Sequence, residues 1–409
     1  MRRAAISAPL LLALWAPSLG RAVGYDYVVV ASSDSGVFAP LSFSLVPSIG
    51  NDGSIAFLAT PTGSAQAGIF IGSTPGRRLA DYTRVTPPGT TVQQIGSVLG
   101  GAVAFTGQSG AQAGVFRWSA GVTTPILAGS QSIPPAVNAS GVLAYVDDAG
   151  ALRIALSQGS TTLIQNGDQI AGGTISHVFS FVYPDINDAG QVAFYPLIFL
   201  PNTSCDEPVM RTFPGGAEVI GLGGGDTCDF FQAASVPLAI NELGSVAYAP
   251  EIFDEILGEM VDTVAVNSSK VWDARDPAFA SHLHVTDVAL NDSGEVAFRL
   301  EGSLADGVYT GSDPASDKVL AIGEPLCGST VIGVDFQRYG IDPLGRMALF
   351  VALADGRRLI VRAEPVLGPG GACQTVPEPA APEAAIAALL AVAATGRRRV
   401  QIRCVRSGR

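Results

Sequence analysis

Lysine is almost absent from this chain of 409 residues, and charged residues of all kinds make up only 15% of it. The two lysines are Lys270 and Lys318. Nine of the 24 Lys and Arg residues lie in the two terminal segments described below, which leaves 15 against 36 acidic residues and a body with a net charge near −21. A body this acidic repels nucleic acids and anionic lipid surfaces. We therefore expect no nucleic-acid partner.

The short motifs that mark many catalytic centres are also missing. The chain contains no HExxH, GxSxG or GxxxxGK[ST], and no GxGxxG follows a predicted strand. Histidine occurs three times, and no CxxC or paired His/Cys spacing indicates a zinc site. His282 and His284 would share one face of a strand, and we interpret them as surface residues rather than as a metal pair. We predict no catalytic residues and no cofactor.

Residues 1–22 have the pattern of a secretory signal peptide. Arg2 and Arg3 precede an apolar run that is too short for a comfortable membrane span. Small residues at Gly20 and Ala22 place the cleavage site near Ala22. We therefore expect the chain to be exported.

The C-terminal end has three consecutive parts. Residues 364–383 are rich in Pro and Gly, which predicts an extended linker, and residues 384–409 contain an apolar run followed by arginines. An apolar run before a cationic cluster is typical of a stop-transfer signal, although this run is shorter than the ~20 residues of a permanent helix. The Pro/Glu motif is Val376, Pro377, Glu378 and Pro379, and the cluster is Arg397, Arg398 and Arg399.

This tail resembles the PEP-CTERM sorting signal of Gram-negative bacteria. The resemblance implies an exosortase-type sorting enzyme as a partner and a transient membrane anchor at the C-terminus. It also implies a final location in the periplasm, at the cell surface or in the extracellular matrix.

The five cysteines fit export. Cys404 lies beyond the arginine cluster, on the side that stays reducing, so four cysteines remain in the exported part. We predict the disulfides Cys205–Cys228 and Cys327–Cys373, although four cysteines allow three pairings.

A glycine-centred motif recurs seven times, and its clearest copy is INDAGQVAF at residues 186–194. The intervals between copies range from 40 to 54 residues, which is typical of one propeller blade. Asn followed three residues later by Gly suits a type I turn between two strands. We therefore interpret these residues as hairpin turns rather than as ligands. The predicted turn residues are Asn138 and Gly141, Asn187 and Gly190, Asn241 and Gly244, and Asn291 and Gly294.

Four short strands per repeat predict an all-β, seven-bladed β-propeller over residues 23–363. We assign residues 25–49 to the third and fourth strands of one unit and residues 346–363 to its first and second strands. The two chain ends would then complete the last blade and leave no free sheet edge. A β-solenoid or sandwich array is the alternative. Residues 251–262 have apolar residues at helical spacing, which predicts a short amphipathic helix in the fifth repeat.

The repeats resemble those of the bacterial NxxGxxAF tandem-repeat proteins, a "choice-of-anchor" family of exported arrays with varied C-terminal anchors. The resemblance covers about residues 40–363. It implies an architecture and a location, and it implies no reaction.

Four acidic residues occupy corresponding places at the ends of third strands: Asp168, Asp226, Asp276 and Glu324. On one face of a propeller they would form an electronegative ring for Ca²⁺ or for a cationic or glycan ligand. The alternative, which we prefer, is that they are turn residues.

For the function we predict an exported, envelope-anchored, non-catalytic propeller for binding or scaffolding at the cell surface or in the extracellular matrix, with extracellular polysaccharide or surface proteins as partners. The alternative is a propeller-type glycosidase or polysaccharide lyase. It requires carboxylates from different blades to meet in a pocket at roughly 5–10 Å.

Overall fold

The structure is a computed structural model. It describes residues 23–41, 46–99, 101–128, 136–138, 142–147, 149–156, 159–170, 172–178, 184–199, 205–206, 208–222, 237–254, 259–275, 284–302 and 306–374. The predicted signal peptide, the sorting tail from residue 375 onward and Gly141 lie outside these residues. No helix within the described ranges is long and apolar enough to cross a membrane.

The described chain forms eight sheets that make up seven blades in a ring, since blade 4 contains two of them, and this confirms the predicted seven-bladed β-propeller. In each blade the inner strand runs to the repeated turn and pairs with the strand that follows it. The remaining strands lie successively further from the axis. The only helical element in the described residues is a 3-10 turn at Leu79–Asp81.

The first strand, β1 (Val23–Ser32), belongs to the last blade. Blade 1 contains β2 (Phe38–Leu41), β3 (Ser48–Ile49), β4 (Ile55–Pro61), β5 (Gly68–Gly72) and β6 (Thr83–Arg84). Blade 2 contains β7 (Thr90–Leu99), β8 (Ala102–Ser109), β9 (Gln112–Ser119) and β10 (Val122–Ala128). Blade 3 contains β11 (Ala136–Val137), β12 (Leu143–Val146), β13 (Leu152–Leu156) and β14 (Gly159–Ile164).

Blade 4 has the most divided strands: β15 (Gln169–Ile170), β16 (Gly173–Val178), β17 (Asp185–Ile186), β18 (Val192–Phe194), β19 (Pro196–Phe199), β20 (Cys205–Asp206), β21 (Pro208–Phe213) and β22 (Gly216–Leu222). Blade 5 contains β23 (Leu238–Ile240), β24 (Val246–Tyr248), β25 (Glu251–Asp254), β26 (Glu259–Val266) and β27 (Ser269–Asp273). Blade 6 contains β28 (His284–Leu290), β29 (Val296–Glu301), β30 (Gly307–Tyr309) and β31 (Lys318–Ala321). Blade 7 contains β32 (Pro325–Leu326), β33 (Ser329–Asp335), β34 (Met347–Leu353), β35 (Arg358–Leu367) and β36 (Cys373–Gln374), together with β1.

The helix predicted over residues 251–262 is wrong. Strands β25 and β26 pair there as an antiparallel hairpin, from Glu251 opposite Asp262 to Asp254 opposite Glu259. A short apolar segment fits a helix or two strands equally well by spacing alone, and here pairing within the blade decides for strands.

The ring closes through both chain ends, as predicted, but the division of strands differs. Strand β1 pairs antiparallel with β35 along its whole length, and the C-terminal side supplies β33, β34 and β35. The closure is therefore three strands plus one rather than two plus two. Strands β2 and β3 belong to blade 1, because the strand before each turn pairs with the strand after it, so that the sheet begins one strand earlier than the repeat.

The core lies between neighbouring blades, and strand β18 shows how the VAF part of the motif builds it. Val192 and Phe194 pack with residues of blade 3, whereas Ala193 packs with residues of blade 5. The same division recurs in blade 6, where Phe298 packs towards blade 5 and Ala297 towards blade 7. Alternate side chains of a strand point to opposite faces. A large residue on one face and a small residue on the other thus lets each blade fit against the next.

Candidate functional site at the channel mouth

The repeated turns lie where the inner strands reach the mouth of the central channel. In blades 4, 5 and 6 the glycine N–H donates to the carbonyl of the Asn three residues earlier, at 2.9–3.0 Å. The glycines have φ between +78° and +83°, a conformation that favours glycine. Each Asn Oδ1 also accepts the backbone N–H four residues later, at 2.8–2.9 Å in blades 3 to 6. Asn and Gly therefore close the hairpin together.

The asparagines also join one blade to the next. Asn138 Nδ2 donates to the carbonyl of Asn187 at 3.1 Å, and Asn187 Nδ2 donates to that of Asn241 at 3.1 Å. Asn241 Nδ2 continues the series to the carbonyl of Asn291 at 3.0 Å. We call this series, from Asn138 to Asn291, the asparagine ladder. It spans the three seams from blade 3 to blade 6.

The acidic residue that follows Asn returns a second bond across two of these seams. The backbone N–H of Asp188 donates to Glu242 Oε2 at 2.7 Å, and that of Glu242 donates to Asp292 Oδ1 at 2.9 Å. In both bonds of each seam the donor belongs to the earlier blade: the Asn side chain reaches forward to the next blade, and the acidic side chain of that next blade reaches back. This accounts for the acid that follows Asn in blades 5 and 6.

Other side chains take over where the motif lacks Asn. In blade 7 the position is Asp342, which accepts Arg346 Nε at 2.6 Å, and Arg346 Nη2 reaches the carbonyl of Asn51 in blade 1 at 3.3 Å. Between blades 1 and 2 the Ser48 hydroxyl donates to the carbonyl of Gly96 at 2.7 Å. A polar side chain therefore bridges these seams too, with a different chemical group at each.

A cavity of about 70 Å³ lies on the axis inside this mouth, lined by residues of the inner strands of six blades. Its charged groups are Asp185, Glu242, Asp292 and Arg338. Arg338 starts in blade 7 and its Nη1 donates to the carbonyl of Pro184 in blade 4 at 2.9 Å, so that this side chain crosses the channel. Its guanidinium lies 4.6 Å from the centre of the Tyr339 ring, a cation–π contact.

Burial raises the pKa of three carboxyl groups along the channel, Asp185, Glu242 and Asp287. Asp185 is buried, and burial raises its pKa to about 6, although Arg338 and the N–H groups of Ile186 and Ile240 act in the opposite direction. Burial also raises the pKa of Glu242 to about 7, and the neighbouring acids add to the effect. Further along the inner strands, burial and the Asp335 carboxylate raise the pKa of Asp287 to about 8. The channel therefore retains protons near neutral pH.

This mouth can hold a few water molecules but not a sugar ring. Pockets for organic ligands occupy roughly 300–1,000 Å³, several times the volume of this cavity. The carboxylates of Asp185, Glu242 and Asp292 do converge from three blades, but each accepts a backbone N–H of a neighbouring blade. At least one oxygen of each carboxylate therefore joins two blades.

Two of the four acids predicted as a ring lie in the described residues, and each closes its own turn. Asp168 Oδ2 accepts the N–H of Gln165 at 2.9 Å, and Glu324 Oε2 accepts that of Ala321 at 3.1 Å. Glu324 also pairs with Lys318. Asp226 and Asp276 lie outside the described residues. Across the described ranges no group of three His, Cys, Asp or Glu side chains could hold a metal ion.

Of the two predicted disulfides, the structure contains Cys327–Cys373. It ties the β32–β33 hairpin to β36, which pairs parallel with the closing strand β1. Cys228 lies outside the described residues, so the Cys205–Cys228 pairing stays a prediction.

Sequence reasoning did not find the role of the asparagines between blades, nor Arg338. The acid after Asn in three consecutive copies was a signal for the former. Nothing in the local sequence around Arg338 indicates that its side chain crosses the channel.

Several solved structures resemble this chain at low sequence identity. No family model and no curated protein matches this chain. A structure from a study of two prolyl endopeptidases has a TM-score of 0.44 at 13% identity and covers 82% of this chain. This chain spans about half of that protein, 51% of its length. The propeller domain of the Trilobed protease from Pyrococcus furiosus has a TM-score of 0.47 at 10% identity, covering 81% of this chain and 95% of that one. TolB from Acinetobacter baumannii has a TM-score of 0.36 at 13% identity, covering 79% and 67%.

Proposed function

We propose that this protein is an exported, envelope-anchored β-propeller that binds extracellular polysaccharide or surface proteins without catalysing a reaction. The observation that carries the proposal is the use of the channel-mouth side chains. In propeller enzymes of the kind considered above, carboxylates must meet a substrate in an open pocket. Here the converging carboxylates accept backbone N–H groups around a cavity of about 70 Å³. These contacts at the channel mouth hold neighbouring blades together, and the outer surfaces of the ring remain available to a partner.

Two features support export. One is the pair of terminal segments with the patterns of a signal peptide and a sorting tail. The Cys327–Cys373 disulfide suits an oxidising compartment.

Fractionation of a Gram-negative host that expresses the full chain tests location and anchoring. We expect a mature N-terminus near residue 23 and a surface or matrix fraction that depends on a co-expressed exosortase. Replacing Arg397, Arg398 and Arg399 with Ala should abolish sorting, whereas Arg403→Ala and Arg406→Ala, beyond the cluster, should not. A full-length cytoplasmic protein with reduced cysteines would contradict the proposal.

A depolymerisation assay tests the absence of catalysis. The purified full chain, incubated with neutral and acidic polysaccharides, should release no new reducing or unsaturated ends. Turnover that disappears in Glu242→Gln or Asp185→Asn would establish the glycosidase or lyase alternative instead.

A further inference from the structure

A second and much larger concavity lies away from the axis, between blades 3 and 4. Its volume is about 540 Å³, which is within the range of sites for organic ligands. Four segments form its walls: residues 162–164 of β14, 168–170 after it, 189–191 of the blade 4 motif turn, and 212–216 of the β21–β22 hairpin. We call it the blade 3–4 groove. No residue lines both this groove and the axial cavity.

The groove combines an exposed aromatic ring with polar groups of little charge. Phe213 is 43% exposed, and its ring lies over Gly216, with Cζ 3.1 Å from where a Cβ would be. Because Gly216 has no side chain, the Phe213 ring can pack directly over the hairpin at this position. Hydroxyl and amide side chains accompany it, and Asp168 is the only charged residue among the described residues that line the groove.

One of these polar groups is buried with its hydrogen uncommitted. Thr212 is 6% exposed, and its Oγ1 accepts the N–H of Val192 at 2.8 Å. No bond in which the Thr212 hydroxyl donates exists among the described residues. Thr212 lines the groove, and a buried hydroxyl that lacks an acceptor favours a ligand that carries oxygen atoms. Gln169, whose Nε2 donates to Thr174 Oγ1 at 2.7 Å, lies on a second wall of the groove.

We propose that the blade 3–4 groove binds a neutral glycan, with one sugar ring stacked on Phe213 and a sugar oxygen accepting the Thr212 hydroxyl. A sugar presents hydroxyl groups around apolar C–H faces, which matches an aromatic seat beside hydroxyl and amide groups. An acidic glycan does not fit, because no cation lines the described walls and the body of the protein is strongly acidic. The assignment rests on the proposed binding function and specifies its site and ligand class.

Titration calorimetry of the full chain with cellohexaose, maltohexaose and dextran tests the assignment, with oligogalacturonate as the acidic probe. We expect at least one neutral probe to bind, no binding of oligogalacturonate, and at least tenfold weaker binding by Phe213→Ala. Phe213→Trp should keep the affinity, because it keeps an aromatic face. Leu79→Ala, at a side chain of matched exposure (45%) in blade 1, should bind like the wild type.

Thr212→Val gives a second, independent readout, with an expected loss of roughly fivefold or more. If no neutral probe binds, or if Phe213→Ala binds as tightly as the wild type, the groove assignment is wrong. Binding that survives in Phe213→Ala would leave the proposed function standing and place the glycan elsewhere. Tighter binding of oligogalacturonate than of the neutral probes would also overturn the assignment.

Discussion

Substitution of Asn241 distinguishes a residue that only closes its own turn from one that also joins blades. The side chain is 3% exposed and has two bonds: Oδ1 accepts the N–H of Ser245, and Nδ2 donates to the carbonyl of Asn291. In Asn241→Asp the first bond persists, but an oxygen then faces the Asn291 carbonyl. In Asn241→Ala both bonds are lost.

The sizes of the two effects follow from these bonds. A buried backbone group left without a partner costs about 1–3 kcal/mol. Asn241→Ala should therefore lower the free energy of unfolding by about 2–4 kcal/mol, and Asn241→Asp by about 1–3 kcal/mol. If the residue served its turn alone, Asp would be nearly neutral, because Asp and Asn are both favoured at the first position of a type I turn. Blade 7 tolerates Asp342 because Arg346 is its partner, whereas the corresponding position in blade 5 is Ser245.

The free energy of unfolding can be measured by urea unfolding followed by tryptophan fluorescence. Trp272 is a suitable probe, because it is buried in blade 5, the blade that contains Asn241. Asn166→Asp, the same chemical change at an exposed turn residue, is the matched control and should stay within about 0.5 kcal/mol of the wild type. Equal stability of Asn241→Asp and the wild type would refute the role of the ladder between blades.

Three further outcomes are expected. Because the pKa of Asp287 is raised to about 8, the folded protein keeps a proton that the unfolded chain releases, so stability should fall as pH rises from about 4 to 8. Asp287→Asn should flatten this dependence in urea midpoints measured across that range, and Asp34→Asn, which removes an exposed charge, should not. Cys327→Ser should lower the free energy of unfolding by roughly 4 kcal/mol, because the disulfide closes 46 residues; a loss below about 1 kcal/mol would contradict this entropic account. Arg338→Ala removes the cation that lowers the pKa of Asp185, so an NMR titration should find that pKa above its wild-type value of about 6.

The fold could be predicted from the sequence because the information is local and repeated. Asn, Gly and the VAF strand each have a short-range conformational preference, and seven ordered copies make the ring the simplest way to pair every strand. The boundaries of the blades could not be found in the same way. By its sequence pattern alone, the strand before the turn could pair with the strand that precedes it or with the strand that follows it in the chain. The apolar spacing of residues 251–262 fits a helix as well as two strands.

The side-chain contacts at the channel mouth depend on geometry that one repeat does not contain. An Asn that closes a turn uses its oxygen, and its amide hydrogens are free to bond elsewhere. Only the neighbouring blade determines that they meet the carbonyl of the next Asn. In the same way, Arg338 is an ordinary arginine in the sequence and crosses the channel only because blades 4 and 7 face each other across the axis.

These contacts separate what the repeats share from what makes this protein specific. Each repeated part of the motif has a partner inside the ring. The Gly N–H bonds to the Asn carbonyl, the Asn side chain bonds to the next blade, and the acid bonds to the preceding blade. The Phe and Ala side chains pack against opposite neighbouring blades. A residue committed in this way is unavailable to a ligand. We therefore expect recognition to reside in side chains outside the motif. Blade 4 differs most from the others, with eight short strands, and its β21–β22 hairpin lines the groove. Phe213 and Thr212 belong to that irregular blade and not to the motif, which is why the groove between blades 3 and 4, rather than the symmetric mouth, is the place to look for the ligand.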